Sequence, residues 1–323
     1  MTSTLLVASA DSLRQFQLDS QAGTAEPIGG EVSVERPLAL TSDPNQAGLA
    51  WAVACTPDGS VFPVQTDSDG PRVGATATSG GAVPCHTGIV SGEGASRTVA
   101  VANYTGHTVG FASFDGLPAG GVSAQGPVID FGEGSHPHQV LSSDGQLIVS
   151  DLGLDSLHVL DSADPQEPAI RIELEPGAGP RNAVPVGDSH LAVALEVANA
   201  AALVRIDRDA DGRITGGQQV ARVGFEGDPE QTHPSQILRD SRGFVHVLNR
   251  GSQRLCTLTV EGDNLELVTE RCVPDFPMDI VELDGLLLVA CRDSDTVVAL
   301  QVADPDTEVF RIEVASPNAI AVV

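Results

Sequence analysis

The side chains best suited to chemistry in this chain stand at recurring places beside prolines. Four of the eight histidines do so: His86 in Pro84-Cys85-His86, His136 and His138 on either side of Pro137, and His233 before Pro234. Arg181 follows Pro180 in the same manner. A second set closes short apolar runs: Asn103-Tyr104, Asp151, Glu196, Asn249-Arg250 and Arg292. A histidine or glutamate beside a reacting carbonyl can move a proton if its pKa is tuned toward neutrality. Arginines bind carboxylates and phosphates and stabilise an oxyanion as it develops. All 17 basic residues are arginine, so Schiff-base chemistry on lysine and a phosphate-binding P-loop are both excluded. No GxSxG nucleophile elbow is present, and no GxGxxG run opens a helix.

The elements that position these residues are strands in a repeat. Seven segments begin at Pro37, Pro84, Pro137, Pro180, Pro234, Pro277 and Pro317, 40 to 54 residues apart. Each full copy runs from the proline through an alternating apolar strand, a tight turn and a second apolar strand to a polar exit. Ser143-Asp144-Gly145, Ser241-Arg242-Gly243 and Asp284-Gly285 are the clearest turns. This period is that of four-stranded propeller blades. The seventh copy, Ser316 to Val323, supplies a first strand only, while Leu5–Ala8 and Leu13–Leu18 read as a second and third. Joined, they complete a blade and leave no open edge. The expectation is a single all-β domain over residues 1–323, a seven-bladed β-propeller closed by pairing of its C-terminal strand with its N-terminal strands.

In such a blade the first strand starts on the face where the second ends, so both sets of polar residues belong to one mouth of the central channel. Arg181 and Glu196 lie fifteen residues apart on one blade, and antiparallel pairing brings them together. The other residues also have plain structural readings. Asp151, Asn103 and Asn249 suit caps of the loop between second and third strands, and His86 and His233 suit bonds to neighbouring backbone.

Composition narrows the partners. A formal charge of −27 repels nucleic acid and anionic membranes, so neither is expected. With one Trp, one Tyr and nine Phe, the core must come from Val, Leu, Ile and Ala. Five cysteines without a CxxC pair point to reduced thiols rather than a disulfide framework. Met1 to Ala10 lacks a basic stretch before its apolar run, and no segment approaches the roughly 20 apolar residues of a membrane span. A soluble, cytoplasmic monomer or weak dimer is expected. Asp207 to Gly212 imitates half an EF-hand loop, but Gln218 stands where the last ligand would be, so it reads as a turn. His136 and His138 lack a third zinc ligand at suitable spacing. Glu196, Asp151 and Asn249 carry oxygens that a divalent cation could take at the funnel, yet no metal or other cofactor is expected.

Several stretches together resemble the 6-phosphogluconolactonase family of seven-bladed propellers, which also includes fungal carboxymuconate-cyclising enzymes. They are Ser79-Gly80-Gly81-Ala82-Val83-Pro84-Cys85-His86, Val101 to Gly106, Ser135 to Val140, Gly179-Pro180-Arg181, Leu195-Glu196 and Leu248-Asn249-Arg250-Gly251, spread over essentially the whole chain. In the cyclising branch the resemblance implies four functional positions, His138, Arg181, Glu196 and Arg250, expected to be catalytic. The other residues that the blade topology collects at the mouth, His86, Asn103, Tyr104, His136, Asp151, His233, Asn249 and Arg292, are expected to contact substrate. The resemblance implies hydrolysis of an anionic sugar-acid lactone. The rival readings are a lactonising enzyme or isomerase, and a binding propeller without catalysis. Three places depart from the family pattern: Asn182 replaces a histidine, Gln65-Thr66 an Asn-Glu pair, and Cys291-Arg292 an Asn-Gln pair.

Overall fold

A computed structural model describes residues 2–118, 120–166, 168 and 170–323. Seven antiparallel sheets follow one another around a ring. Blade 1 consists of Thr2–Ala8, Ser12–Asp19 and Thr24–Ser33, with Ala319–Val322 as its innermost strand. The closure is in register, Leu5 opposite Val322 and Ala8 opposite Ala319. The innermost strands of blades 2 to 7 are Pro37–Ser42, Pro84–Ser91, Pro137–Ser143, Pro180–Val186, His233–Arg239 and Pro277–Leu283. Among the described residues the only helical segment is a 3-10 turn, Arg292–Ser294. None of their helices is long and apolar enough to cross a membrane.

The second strand of each blade is buried on both faces, which is why Leu49–Ala54 and Leu286–Cys291 are continuous apolar runs. Alternate residues serve different neighbours. Leu5 and Val7 pack toward blade 7, whereas Leu6 and Ala8 pack toward blade 2. The core is therefore seven separate clusters, one at each junction between blades. Alanines such as Ala50, Ala52, Ala192 and Ala194 keep the sheets close, so few aromatics are needed. Trp51 and Phe114 are the exception, their rings 4.8 Å apart between blades 2 and 3. The turns at Asp144-Gly145 and Asp284-Gly285 have positive φ at both residues, 46° and 76°, then 51° and 81°. That geometry matches the twist of a two-residue hairpin.

The prolines do more than start strands. In blades 2, 3, 4, 5 and 7 the residue just after the proline is skipped by the pairing, leaving Leu38, Cys85, His138, Arg181 and Met278 as bulges. Blade 6 has a wider irregularity between Pro234 and Ile237. A bulge re-aims its side chain out of the ladder. His138 and Arg181 thereby reach the channel instead of an inter-blade core.

Next to the bulges, side chains sew one inner strand to the next. Thr41 Oγ1 donates to Thr87 O at 2.7 Å, Cys85 Sγ to His138 O at 3.3 Å, and Ala183 N to Gln139 Oε1 at 2.7 Å. Asn182 Nδ2 donates to Gln236 Oε1 at 2.9 Å and Gln236 Nε2 to Asp279 Oδ1 at 3.1 Å. Ile320 N, on the closing strand, donates to Asp279 Oδ2 at 2.9 Å.

Candidate active site at the channel mouth

Glu196 is the hub of the mouth. The second strand His190–Leu195 ends beside Pro180, so Glu196 emerges next to the bulged Arg181. Arg181 Nη1 donates to Glu196 Oε2, and Arg250 Nη2 lies 3.0 Å from Glu196 Oε1. Each guanidinium is also anchored to backbone: Arg181 Nε donates to Ser235 O at 2.6 Å, and Arg250 Nε to His233 O at 3.3 Å. Arg181 Nη2 and Arg250 Nη1 have no protein partner among the described residues. Two donors are thus held in place and aimed at whatever enters.

The electrostatics follow from this clamp. Burial by itself would raise the Glu196 carboxyl, but the charges of Arg181 and then Arg250 outweigh it and hold the group below its ordinary range. Arg250 falls to about 10, mainly through burial and then through repulsion from Arg181. His138 is pushed well below its ordinary value by burial, with Arg181, His86 and Arg250 acting the same way. Its buried Nδ1 has no hydrogen-bond partner. The pH-7 imidazole is therefore neutral. Neither group is tuned upward: Glu196 is held ionised, and His138 is held in the neutral form, whose free ring nitrogen can accept a proton.

His86 is half-buried, its Nδ1 accepting from Val140 N at 3.4 Å, and burial lowers it to about 4. His86, His138, Arg181 and Asn182 line a channel cavity of about 60 Å³ with Gln236 and Asp279. Tyr104 and His136 form a wall on the blade 3 and 4 side, rings 4.5 Å apart and nearly parallel, with Tyr104 edge-on to His138 at 5.9 Å. Burial and then the Glu196 charge raise the Tyr104 phenol. His233 contributes its carbonyl to Arg250. Arg292 covers the Phe276 ring, its guanidinium carbon 3.7 Å from the centroid, and pairs with Asp293 at 2.7 Å.

Three expected substrate contacts are placed elsewhere. Asp151 is fully buried and caps its loop, taking His136 N, Gly153 N and Leu154 N on Oδ1, and Ser135 Oγ and His158 Nε2 on Oδ2. Asn103 Nδ2 donates to Ser79 O at 2.9 Å, and Asn249 Nδ2 to Asn199 Oδ1 at 2.7 Å. These side chains hold the loops that carry the mouth and do not open into it. Glu196, Asp151 and Asn249 are accordingly not assembled around one point. Among the described residues no three of His, Cys, Asp and Glu are grouped as a metal set. Asp207 and Arg208 end the strand Ala200–Arg208, and Asp209 to Arg213 form the turn to Ile214–Gly224, with Asp209 Oδ1 accepting from Asp211 N and Arg213 N.

Sequence reasoning passed over Asp279, Phe276 and His107. Asp279 had a visible signal: it stands two residues after its proline, as His86, Gln139, Asn182 and Gln236 do after theirs. His107 bonds Ser135 O through Nδ1 and lies 5.3 Å from His136, behind the Tyr104 wall. Phe276 had no signal beyond preceding Pro277.

No curated protein matches the chain. Among solved structures, a "putative 6-phosphogluconolactonase" of Bacteroides fragilis shares 20% identity at a TM-score of 0.84, covering 100% of this chain and 98% of that one. A protein from Lactobacillus plantarum shares 21% at 0.83, covering 100% of both chains. Another "putative 6-phosphogluconolactonase", of Bacteroides uniformis, shares 18% at 0.83, covering 100% and 99%. These likenesses are of fold. The family described as "Lactonase, 7-bladed beta-propeller" matches residues 2–322, and the chain belongs to that family.

Proposed function

We propose that the channel mouth hydrolyses an anionic lactone, with a sugar-acid lactone as the substrate class. The observation that carries this reading is the clamp of Arg181 and Arg250 on Glu196, beside the unpartnered Nδ1 of His138. In a chain of charge −27, the fixed arginines give an anion one favourable place to bind. Water attacks the lactone carbonyl, the carbonyl oxygen gathers negative charge, and the free guanidinium N–H of Arg181 stabilises it while Arg250 anchors the anionic end of the substrate. His138, neutral at pH 7, takes the proton of the attacking water and returns it to the ring oxygen as that C–O bond breaks. Glu196 stays ionised and fixes both arginines rather than acting as the base.

The test is a panel of glucono-lactones with and without phosphate, together with an unsaturated carboxymuconate, assayed for ring opening above the spontaneous rate. Turnover of an anionic lactone is expected, with a loss of about 100-fold or more in His138→Gln. Turnover of the muconate alone, or unchanged lactone turnover in His138→Gln, would overturn the mechanism.

A further inference from the structure

Phe276 lies within cation–π reach of two arginines of the mouth. Its ring centroid is 3.7 Å from the guanidinium carbon of Arg292 and 5.6 Å from that of Arg250. Phe276 has φ of 57° before Pro277, as Arg36, Val83, Gly179 and Ser316 have 46°, 54°, 60° and 48° before their prolines, so the backbone turn belongs to the repeat and the aromatic side chain is what sets this copy apart. The loop around it is clasped on both sides. Arg292 N donates to Phe276 O at 3.0 Å, Asp293 N to Asp275 O at 3.3 Å, and Asp275 N to Ser294 Oγ at 2.7 Å. Arg292 occupies Nε and Nη2 on Asp293, which leaves Nη1 without a protein partner among the described residues. Arg250 likewise keeps Nη1 after bonding His233 O and Glu196.

Charge adds a second line. Arg181, Arg250 and Arg292 face only Glu196 and Asp293 as bonded carboxylates, so the cluster carries one positive charge in excess. Two like-charged guanidinium groups close to one another would ordinarily move apart. An aromatic ring within reach of both offers its negative quadrupole to each and holds both in place.

We infer that Phe276 is the positioning residue of a second anion seat built from Arg250 and Arg292, so that the substrate carries an oxyanion group in addition to its lactone carbonyl. The substrate meaning of this seat rests on the lactone reading above, but the seat itself can be measured without turnover. The shared chemistry is a phosphate or a carboxylate held at two guanidinium groups. Arg181 and His138 then serve the carbonyl, while Arg250 and Arg292 serve the far group.

Inorganic phosphate and, separately, tricarballylate serve as probes, titrated into the full chain by calorimetry at low salt. The variants are Arg292→Gln, Phe276→Leu and Phe276→Tyr. Loss of the ring or of the rim arginine should weaken the preferred probe roughly 10-fold, the scale of a desolvated cation–π contact, while Phe276→Tyr keeps it within about 2-fold. Which probe responds tells phosphate from carboxylate. With a lactone bearing that group, Arg292→Gln and Phe276→Leu should raise KM and leave kcat within about 2-fold. If Phe276→Leu does not fold, the Arg292→Gln and Phe276→Tyr arms still decide. Equal affinity in wild type and Arg292→Gln, no binding of either probe by wild type, or loss of binding in Phe276→Tyr would each overturn the inference. Probe binding that responds as described, in a protein that opens no lactone, would support the seat and sink the lactone reading alone.

Discussion

Acidification should strengthen this fold through Asp279. The carboxyl is 8% exposed and closes the ring by accepting from Ile320 N. Burial raises it from 3.8 to about 6, although its bonds from Ile320 N, Gln236 and Ile280 N and the charge of Arg181 all act in the opposite direction. A rise of this size corresponds to about 3 kcal/mol of preference for the protonated form in the folded chain. Because the folded pKa is above the unfolded one, that stabilisation is fully present below about pH 4 and is lost as pH rises through about 6. The perturbation is Asp279→Asn, which cannot titrate. Urea unfolding of both proteins in steps from about pH 4 to pH 7.5, subtracted one from the other, cancels the ionisations they share. Wild type should lose about 3 kcal/mol relative to Asp279→Asn across that window. A difference that stays flat to within about 0.5 kcal/mol, or that grows with pH, would refute the buried-acid reasoning.

Glu196→Gln should lower the melting temperature as well as turnover, because it leaves Arg181 and Arg250 buried and facing each other; the expected cost is about 3–5 kcal/mol. Adding Arg181→Met should recover part of that loss in a double-mutant cycle, and strict additivity would show that the clamp is not an interacting unit. Deleting Ser316 to Val323 should expose the inner edge of blade 1 and produce aggregation or a broad transition in thermal denaturation; a soluble truncation with an unchanged melt would contradict the closure. Lactone turnover should persist through exhaustive chelation, and activity lost to EDTA and restored by calcium or zinc would show that the mouth holds a metal.

The ring was readable in the chain because proline leaves a mark at the start of each inner strand, and because a strand buried on both faces has to be apolar throughout. The cut seventh copy made the closure readable too, since an unfinished blade needs its missing strand from somewhere. The bulges were not readable. Nothing in Pro137-His138 or Pro180-Arg181 announces that the residue after proline will leave the ladder, yet that departure is what turns both side chains into the channel. Exit register was equally hidden: Asp151 stands opposite Pro137, but Leu195 is the residue opposite Pro180, so Glu196 lies one residue further on and meets the arginines while loop amides claim Asp151. The downward shift of Glu196 comes from Arg181 on its own blade and then from Arg250 on the next, and no spacing rule within one repeat could have found the second.

The strand exchange in blade 1 has a consequence for the order of events during synthesis. Thr2–Ala8 is made roughly 310 residues ahead of its inner partner, Ala319–Val322. At about 5–20 residues per second, the first strands wait roughly 15–60 s with one edge unpaired. Blades 2 to 7 each contain their own inner strand and can form as they appear, whereas blade 1 cannot. The nascent chain is therefore an open arc carrying two unsatisfied ends, Leu5 and Val7 at one and the blade 7 core at the other. Its most hazardous interval is the one just before Ala319–Val322 is made, when the arc is nearly complete and the unpaired edge of its Thr2–Ala8 strand can meet that of another arc.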